Sequence, residues 1–289
     1  MSIFTAAALQ MRSGTDPARN LRDFEALARE AAGRGATYLQ SPEMTGALVR
    51  DRASLRALLR SEADDPIALA AARLAAELGV TIHVGSTAIA LDDGKVANRA
   101  FLFGPDGGLV TTYDKIHMFD VDLDKGESWR ESATYRPGER TVVAQLPFAS
   151  LGMAVCYDLR FPQLFRAQAM AGAQVLTVPA AFTRQTGEAH WHVLLRARAI
   201  ENGAWLVAAA QGGLHEDGRE TFGHSMIVDP WGRIVAEADG DAPCVVIAEI
   251  DTDASAAARA KVPNLRNARE FSVETVAPVE GASARRAAS

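Results

Sequence analysis

Cys156 lies in the stretch L-G-M-A-V-C-Y-D-L-R-F, residues 151 to 161. The run Leu151 to Val155 has the apolar character of a buried strand, and Pro162 suits the first position of a helix, where no amide hydrogen is needed. A cysteine at that elbow projects from the end of a sheet beside amides that favour negative charge, which is a setting for a thiolate nucleophile. Ordinary core packing also places single cysteines after apolar runs, so the chemical reading needs partners. A thiol with an ordinary pKa of about 8.5 is mostly protonated at neutral pH and requires a nearby cation or base. Glu43, after an apolar strand and Pro42, can turn into a cleft at a sheet's end. Lys115, in Y-D-K-I-H, directly follows another strand. Glu131 stands in W-R-E-S. Singly, each is also what a solvated loop carboxylate or a surface lysine looks like.

These residues need a scaffold, and the hydrophobic patterning supplies one. Ile3 to Met11 reads as a buried strand. A helix follows with Asp16 as cap, Pro17 at its first position, an apolar stripe of Leu21, Phe24, Ala28 and Ala31, and Gly33 and Gly35 at its end. Tyr38 to Ser41 is a short strand. Asp65-Pro66 opens a helix carrying Leu69, Leu74 and Leu78, closed by Gly79. Val80 to Ala90 and Val96 to Phe103 pair through the turn Asp92 to Lys95, and Gly104 to Gly107 turns the chain into Leu109 to Tyr113. Asp114 to Gly138 is too long and too charged for a passive connection, which points to a functional loop.

Strands at Thr141 to Leu146 and Leu151 to Val155, a helix from Pro162 to Ala171, a strand from Gln174 to Val178, a helix from His190 to Asn202 and a strand from Ala204 to Ala210 give strand–helix–strand alternation. Phe222 to Val228, Arg233 to Ala238 and Val245 to Ile250 return to antiparallel strands. Two sheets packed face to face, each covered by helices, absorb this number of strands better than one open sheet. No linker divides residues 1 to 271. Residues 272 to 289 read as an extension whose end, Gly281 to Ser289, has the composition of a disordered tail.

The chain has 289 residues, 48% of them hydrophobic, and a formal net charge of −6 without a long basic run. Those values disfavour a nucleic-acid or anionic-membrane partner and favour a small molecule. Cys156 and Cys244 are the two cysteines. They argue against a disulfide framework and fit a reducing cytoplasm. The first ten residues carry no positively charged leader, and no segment approaches the roughly 18 uninterrupted apolar residues of a membrane span.

Taken together, P-E after the second strand, Y-D-K-I-H, W-R-E-S and G-M-A-V-C-Y-D-L-R-F-P resemble the nitrilase superfamily of carbon–nitrogen hydrolases in order and spacing. The segment from Pro179 to Trp191, the helix L-R-A-R-A-I-E-N ending at Asn202, and G-H-S-M-I-V-D-P-W-G from Gly223 extend the likeness over residues 3 to 271. C-Y-D-L-R-F-P, T-G-x-x-H-W and the last block look most like the branch that holds deaminated glutathione amidase and omega-amidase. The resemblance implies an α/β fold, a four-layer αββα sandwich, assembled into homodimers or higher homo-oligomers. It implies Glu43, Lys115 and Cys156 as catalytic residues and Glu131 as a supporting one. On that basis Cys156 attacks an amide carbonyl, and Lys115 and the Tyr157 backbone amide hold the oxyanion. Glu43 carries the proton, Glu131 pairs the charges, and no metal or organic cofactor is required.

For the substrate's carboxylate, the paired donors of Arg184 are the first expectation, with Thr186 beside it; Arg160 competes, although bracing the elbow against an acidic side chain is its expected role. Phe182 and His190 are candidate pocket walls, with Trp191 assigned to packing and His224 to structure. His190 and His192, two apart on a helix, have poor spacing for a metal. Met44-Thr45 departs from the aromatic or asparagine side chains common after that glutamate. The expected activity is hydrolysis of the amide of a small carboxylated substrate through a thioester, with deaminated glutathione or a 2-oxo acid amide as substrate. A nitrilase or N-carbamoyl hydrolase and a catalytically silent binding protein are the alternatives. A papain-like protease lacks a histidine in a suggestive context.

Overall fold

The alternating run Ile3–Gln10 forms strand β1, and Asp16, whose carboxylate accepts the Ala18 amide at 2.9 Å, starts helix α1 (Pro17–Gly33). The computed structural model describes residues 2–123 and 128–276, so the expected tail at Gly281 to Ser289 lies outside the described residues. β2 (Tyr38–Gln40) is followed by α2 (Arg52–Leu58), a short helix with no counterpart in the hydrophobic pattern because Leu55 alone is buried; Asp51 caps it through the Ser54 amide at 2.7 Å. Asp65 caps α3 (Pro66–Leu78), and Gly79 ends it in the left-handed conformation at φ 66°. The chain then runs through β3 (Thr81–Ala90), β4 (Val96–Phe103) and β5 (Leu109–Asp114), paired as an antiparallel meander. The charged connection expected from 114 to 138 carries a small ribbon of β6 (Asp120–Asp122) and β7 (Ser128–Arg130).

The second half contains β8 (Val142–Gln145), β9 (Ser150–Met153), α4 (Pro162–Met170), β10 (Val175–Thr177) and α5 (Arg184–Asn202). β11 (Trp205–Ala208), a hairpin of β12 (Gly212–Leu214) and β13 (Glu220–Phe222), β14 (Met226–Val228), β15 (Ile234–Glu237), β16 (Cys244–Asp251) and α6 (Asp253–Lys261) complete it. Three expectations shift. α5 begins at Arg184 rather than His190, because the Thr183 side chain accepts the Thr186 amide and caps the helix earlier. The run from Phe222 to Val228 is broken, since Gly223 and His224 both take positive φ, 73° and 54°. Leu69 is 57% exposed: Pro66 sets a phase in which Ile67, Ala70, Ala71 and Leu74 face inward instead.

The strands assemble into two six-stranded sheets, ordered β16-β1-β2-β3-β4-β5 and β15-β14-β11-β10-β9-β8. β1, β2 and β3 are parallel neighbours in the first sheet, and β9, β10 and β11 in the second. Successive side chains of a strand point to opposite faces, and β1 shows what this builds. Phe4, Ala6 and Ala8 join Leu151, Met153, Val175 and Trp205 in the core between the sheets; Ala7 and Leu9 pack outward on Phe24, Ala28 and Leu74 of α1 and α3. Phe165 of α4 and Leu195 and Ala199 of α5 close the far side, giving the layers αββα. Buried amides tie the sheets together: Gln10 Oε1 accepts the Ser225 amide at 2.8 Å and Gln40 Oε1 the Ala209 amide at 3.1 Å. Among the described residues, no helix is long and apolar enough to cross a membrane.

At the end of β9 the chain turns sharply. Cys156 has φ 50°, a left-handed conformation unusual for a side chain with a Cβ, and begins a 3-10 turn to Arg160 before Pro162 opens α4. Asp158 holds this elbow. Its fully buried carboxylate accepts the Tyr113 hydroxyl at 2.6 Å, the Val155 amide at 2.9 Å and the His117 amide at 3.0 Å, with His117 Nδ1 at 2.7 Å. Acidic bracing of the elbow thus comes from Asp158 and not through Arg160. Replacing Asp158 by Ala strands these donors, and we expect a loss of about 3 kcal/mol or more in denaturant unfolding, against about 1 kcal/mol for Tyr113→Phe. Equal stability of Asp158→Ala and the wild type would contradict this role.

Candidate active site

In an open α/β sheet the space outside the carboxyl ends of parallel strands is where loops can converge on a ligand. The carboxyl ends of β2 and β9 supply Glu43 and Cys156. Glu43 is fixed by its backbone: Met44 takes φ 55° and donates its amide to Ser86 Oγ at 3.0 Å, while Thr45 Oγ1 reaches back to the Pro42 carbonyl at 2.8 Å. Gly85 lets two loops approach, because a Cβ there would sit 2.1 Å from the Ser41 carbonyl oxygen and 2.4 Å from Pro179 Cβ. Pro179 in turn accepts the Cys156 amide at 2.9 Å. Lys115, just beyond β5, donates its amide to Asn98 of β4 at 3.0 Å. Glu131 opens a 3-10 turn after β7 and accepts the Phe119 amide at 2.6 Å.

Distant in the chain, these side chains meet. Lys115 Nζ lies 2.9 Å from Glu43 Oε1 and 3.0 and 2.9 Å from the two oxygens of Glu131. Asn98 Nδ2 donates to both carboxylates, at 2.9 Å to Glu43 and 3.2 Å to Glu131, and the Ala181 amide reaches Glu43 Oε2 at 2.9 Å. The Cys156 thiol is near enough to Glu43 for each to shift the ionisation of the other. Asn98 went unnoticed in the sequence, although an amide within V-A-N-R-A is a visible polar interruption of an apolar strand.

Charge decides the resting state. Burial alone would raise the Glu43 carboxyl, but the Lys115 ammonium, the nearby Cys156 thiol and hydrogen bonds from Lys115 and Asn98 bring it below the ordinary range. Burial also opposes the charge on Lys115, yet Glu131 and Glu43 outweigh it and keep the amine protonated well above the usual lysine range. For Cys156, burial and the Glu43 charge push the thiol well above its ordinary value, with Lys115 only partly offsetting them. Two carboxylates against one ammonium already leave the cluster negative, and a thiolate would add to that. The expected resting thiolate is therefore replaced by a neutral thiol beside a carboxylate that can take its proton during attack.

The site opens into a cavity of about 370 Å³. Of the residues expected to bind substrate, Phe182 and Thr186 line it; Arg184 and His190 do not. Arg184 Nε lies 2.6 Å from Glu220 and its Nη2 2.6 Å from Asp241, so its charge is spent on the β13 side of the molecule. Its place at the first turn of α5, invisible while that segment read as a loop, directs it there. His190 Nδ1 is 3.2 Å from Arg160 Nη1. Arg160 lines the cavity, its guanidinium 5.2 Å from the Phe182 ring centre and 5.9 Å from that of Tyr157, with no carboxylate partner among the described residues. Trp191 is buried as packing. His192 and His224 both meet Glu237 Oε1, at 2.6 and 2.9 Å, away from the cavity. Trp129 and Arg219, which sequence reasoning passed over, also line the wall.

A thiol beside a buried carboxylate and an ammonium, at the carboxyl ends of strands in an αββα sandwich, is an arrangement able to carry out nucleophilic attack on an acyl carbon. The chain matches the family model described as carbon–nitrogen hydrolase over residues 5–260, and it belongs to that family. Deaminated glutathione amidase of Yersinia enterocolitica is 42% identical over 91% of this chain and 92% of its own length. Omega-amidase NIT2 of Danio rerio is 32% identical over 96% of this chain and 99% of its own. Among solved structures, Saccharomyces cerevisiae Nit3, a member of branch 10 of the nitrilase superfamily, superposes with a TM-score of 0.81 at 26% identity, covering 91% of this chain and 95% of that one.

The resting charges predict the pH response of the thiol. Alkylation of Cys156 by iodoacetamide should proceed at a nearly constant rate between about pH 6 and pH 9, because Glu43 is already ionised and the thiol is not. A free thiol titrating near pH 8.5 would instead gain about tenfold per unit below that value. Asn98→Ala removes a hydrogen bond that favours the Glu43 carboxylate, so the acid limb of kcat/KM should move to higher pH; an unmoved limb would show that Asn98 does not tune Glu43.

Proposed function

We propose that this protein is a cysteine-dependent amidase that hydrolyses the C–N bond of a small carboxylated amide through a thioester on Cys156, with deaminated glutathione as substrate. The observation that carries the reading is Lys115 bonded at once to Glu43 and Glu131 beside the Cys156 thiol, in a cavity whose Arg160 has no acidic partner among the described residues. The amidase-named relatives support it.

Each group has a task. Cys156 Sγ attacks the amide carbonyl carbon while Glu43 takes the thiol proton. The oxyanion is stabilised by Lys115 Nζ and by the Tyr157 amide, which lies between the Cys156 amide, bonded to Pro179, and the Asp158 amide, bonded to Val155. As the tetrahedral intermediate collapses, the C–N bond breaks and Glu43 returns the proton to the departing amine. Glu43 then accepts a proton from water, whose oxygen attacks the thioester and releases the acid and the Cys156 thiol. Glu131 keeps Lys115 oriented and prevents that cation from neutralising Glu43 alone. All of these groups are protein side chains or backbone.

Arg160 is the residue we assign to the substrate's acyl-side carboxylate, in place of Arg184. Burial lowers its guanidinium pKa without unseating the charge, and Phe182 and Tyr157 hold it in place. We read residues 1 to 271 as the catalytic domain of a cytoplasmic enzyme, where the two unpaired cysteines stay reduced. It is further read as a homodimer formed through the helical layer, where Val193 and Ile200, seven apart on α5, are 67% and 52% exposed.

The test is intact-protein mass spectrometry with deaminated glutathione and with 2-oxoglutaramate. We expect an acyl adduct in the wild type or in Glu43→Gln, none in Cys156→Ala, and a drop in turnover of at least about 100-fold in Glu43→Gln. Turnover by Cys156→Ala near the wild-type rate would end this reading.

A further inference from the structure

Resting on the amidase reading, we propose that Arg219, seated on Trp129, forms a second anion subsite that holds a carboxylate on the leaving amine. The enzyme would then prefer amides with an acidic group on each side of the scissile bond.

The cavity wall carries a row of rings. Trp129 neighbours Phe119 at 6.4 Å between centres, and Phe119 neighbours Tyr157 at 5.1 Å. Arg160 sits over Tyr157 at one end, and Arg219 lies 4.4 Å from the centre of Trp129 at the other. Arg50 also lies over Trp129, at 5.0 Å. All of these residues line the same cavity. Two guanidiniums are thus held apart by three aromatic rings.

Arg219 is poorly satisfied where it stands. Its Nε is buried and has no hydrogen-bond partner among the described residues. Among the described residues its one carboxylate neighbour is Asp217, whose Oδ2 lies 3.7 Å from Nη2, beyond a hydrogen bond, and makes no hydrogen bond of its own there. A planar guanidinium with unused donors, stacked on an aromatic face and opening on a cavity, suits a carboxylate brought by the substrate. Since Arg160 is assigned to the acyl side, an anion at Arg219 belongs to the amine side. Deaminated glutathione fits this pattern: its amide joins a 2-oxoglutaryl group to cysteinylglycine, with a carboxylate at each end. A primary amide such as 2-oxoglutaramate has no group to reach Arg219.

The experiment compares kcat/KM for deaminated glutathione with that for the same compound bearing a C-terminal glycinamide, in the wild type, Arg219→Gln and Arg219→Lys. We expect the wild type to favour the free acid by about tenfold or more, Arg219→Gln to bring the ratio near one, and Arg219→Lys to restore part of it. Equal losses on both substrates, or a ratio unmoved by Arg219→Gln, would overturn the subsite and leave the amidase reading intact. If the wild type hydrolyses neither compound nor 2-oxoglutaramate, the amidase reading fails and the subsite falls with it.

Discussion

The buried Lys115 ammonium is the interaction on which the site depends. A charge removed from water is tolerated only when opposite charge and hydrogen bonds replace the lost solvation. Here Glu43 and Glu131 both surround it at hydrogen-bond distance. Having two carboxylates and one cation has a consequence that a simple pair lacks, because the cluster keeps one negative charge in excess. Burial first, and then the Glu43 charge, push the Cys156 thiol upward with Lys115 only partly offsetting them, so the thiol rests protonated beside an ionised carboxylate. Asn98 and the Ala181 and Phe119 amides supply the remaining donors, and no carboxylate oxygen in the cluster depends on Lys115 alone.

Holding this cluster is the work of backbone geometry. Met44, the residue after Glu43, and Cys156 both take left-handed φ, and both conformations cost energy for a residue with a Cβ. Each is compensated locally. Ser86 and Thr45 lock the first turn; Asp158, with its four partners, and Pro179 lock the second. Gly85 lets the two loops come together where any larger residue would collide with the Ser41 carbonyl. Behind them the two sheets, pinned by buried glutamines, provide the rigid frame from which the loops project.

The cavity also reverses the charge of the molecule around it. The chain has a formal net charge of −6, yet Arg50, Arg52, Arg130, Arg160 and Arg219 line the opening above the anionic cluster. Some of that positive charge is internally balanced, as in the pairing of Arg130 with Asp122. Arg160 and Arg219 are held by aromatic faces instead, which position a guanidinium without consuming its hydrogen-bond donors. Such a rim favours anionic ligands by field as well as by contact.

Much of this was already determined by the sequence, and the reason is local. Strand and helix periodicity, Asp16, Pro17, Asp65 and Pro66 at helix starts, and Gly79 at a helix end act over a few residues, so β1, α1, α3 and the β3–β4–β5 meander are legible directly. The places of Glu43, Lys115 and Cys156, each just beyond an apolar run, were legible too, whereas Glu131, in the polar W-R-E-S, stood out only through the family resemblance. What only the tertiary structure decided is where side chains end up relative to partners far along the chain. Asn98 became part of the site because β4 lies beside β5; Arg184 was drawn to Glu220 and Asp241 once Thr183 started α5 early. The protonation of Cys156 belongs to the same class, since it follows from the sum of charges brought within a few ångströms in a desolvated pocket. That sum is a property of three-dimensional distance, to which spacing along the polypeptide is blind.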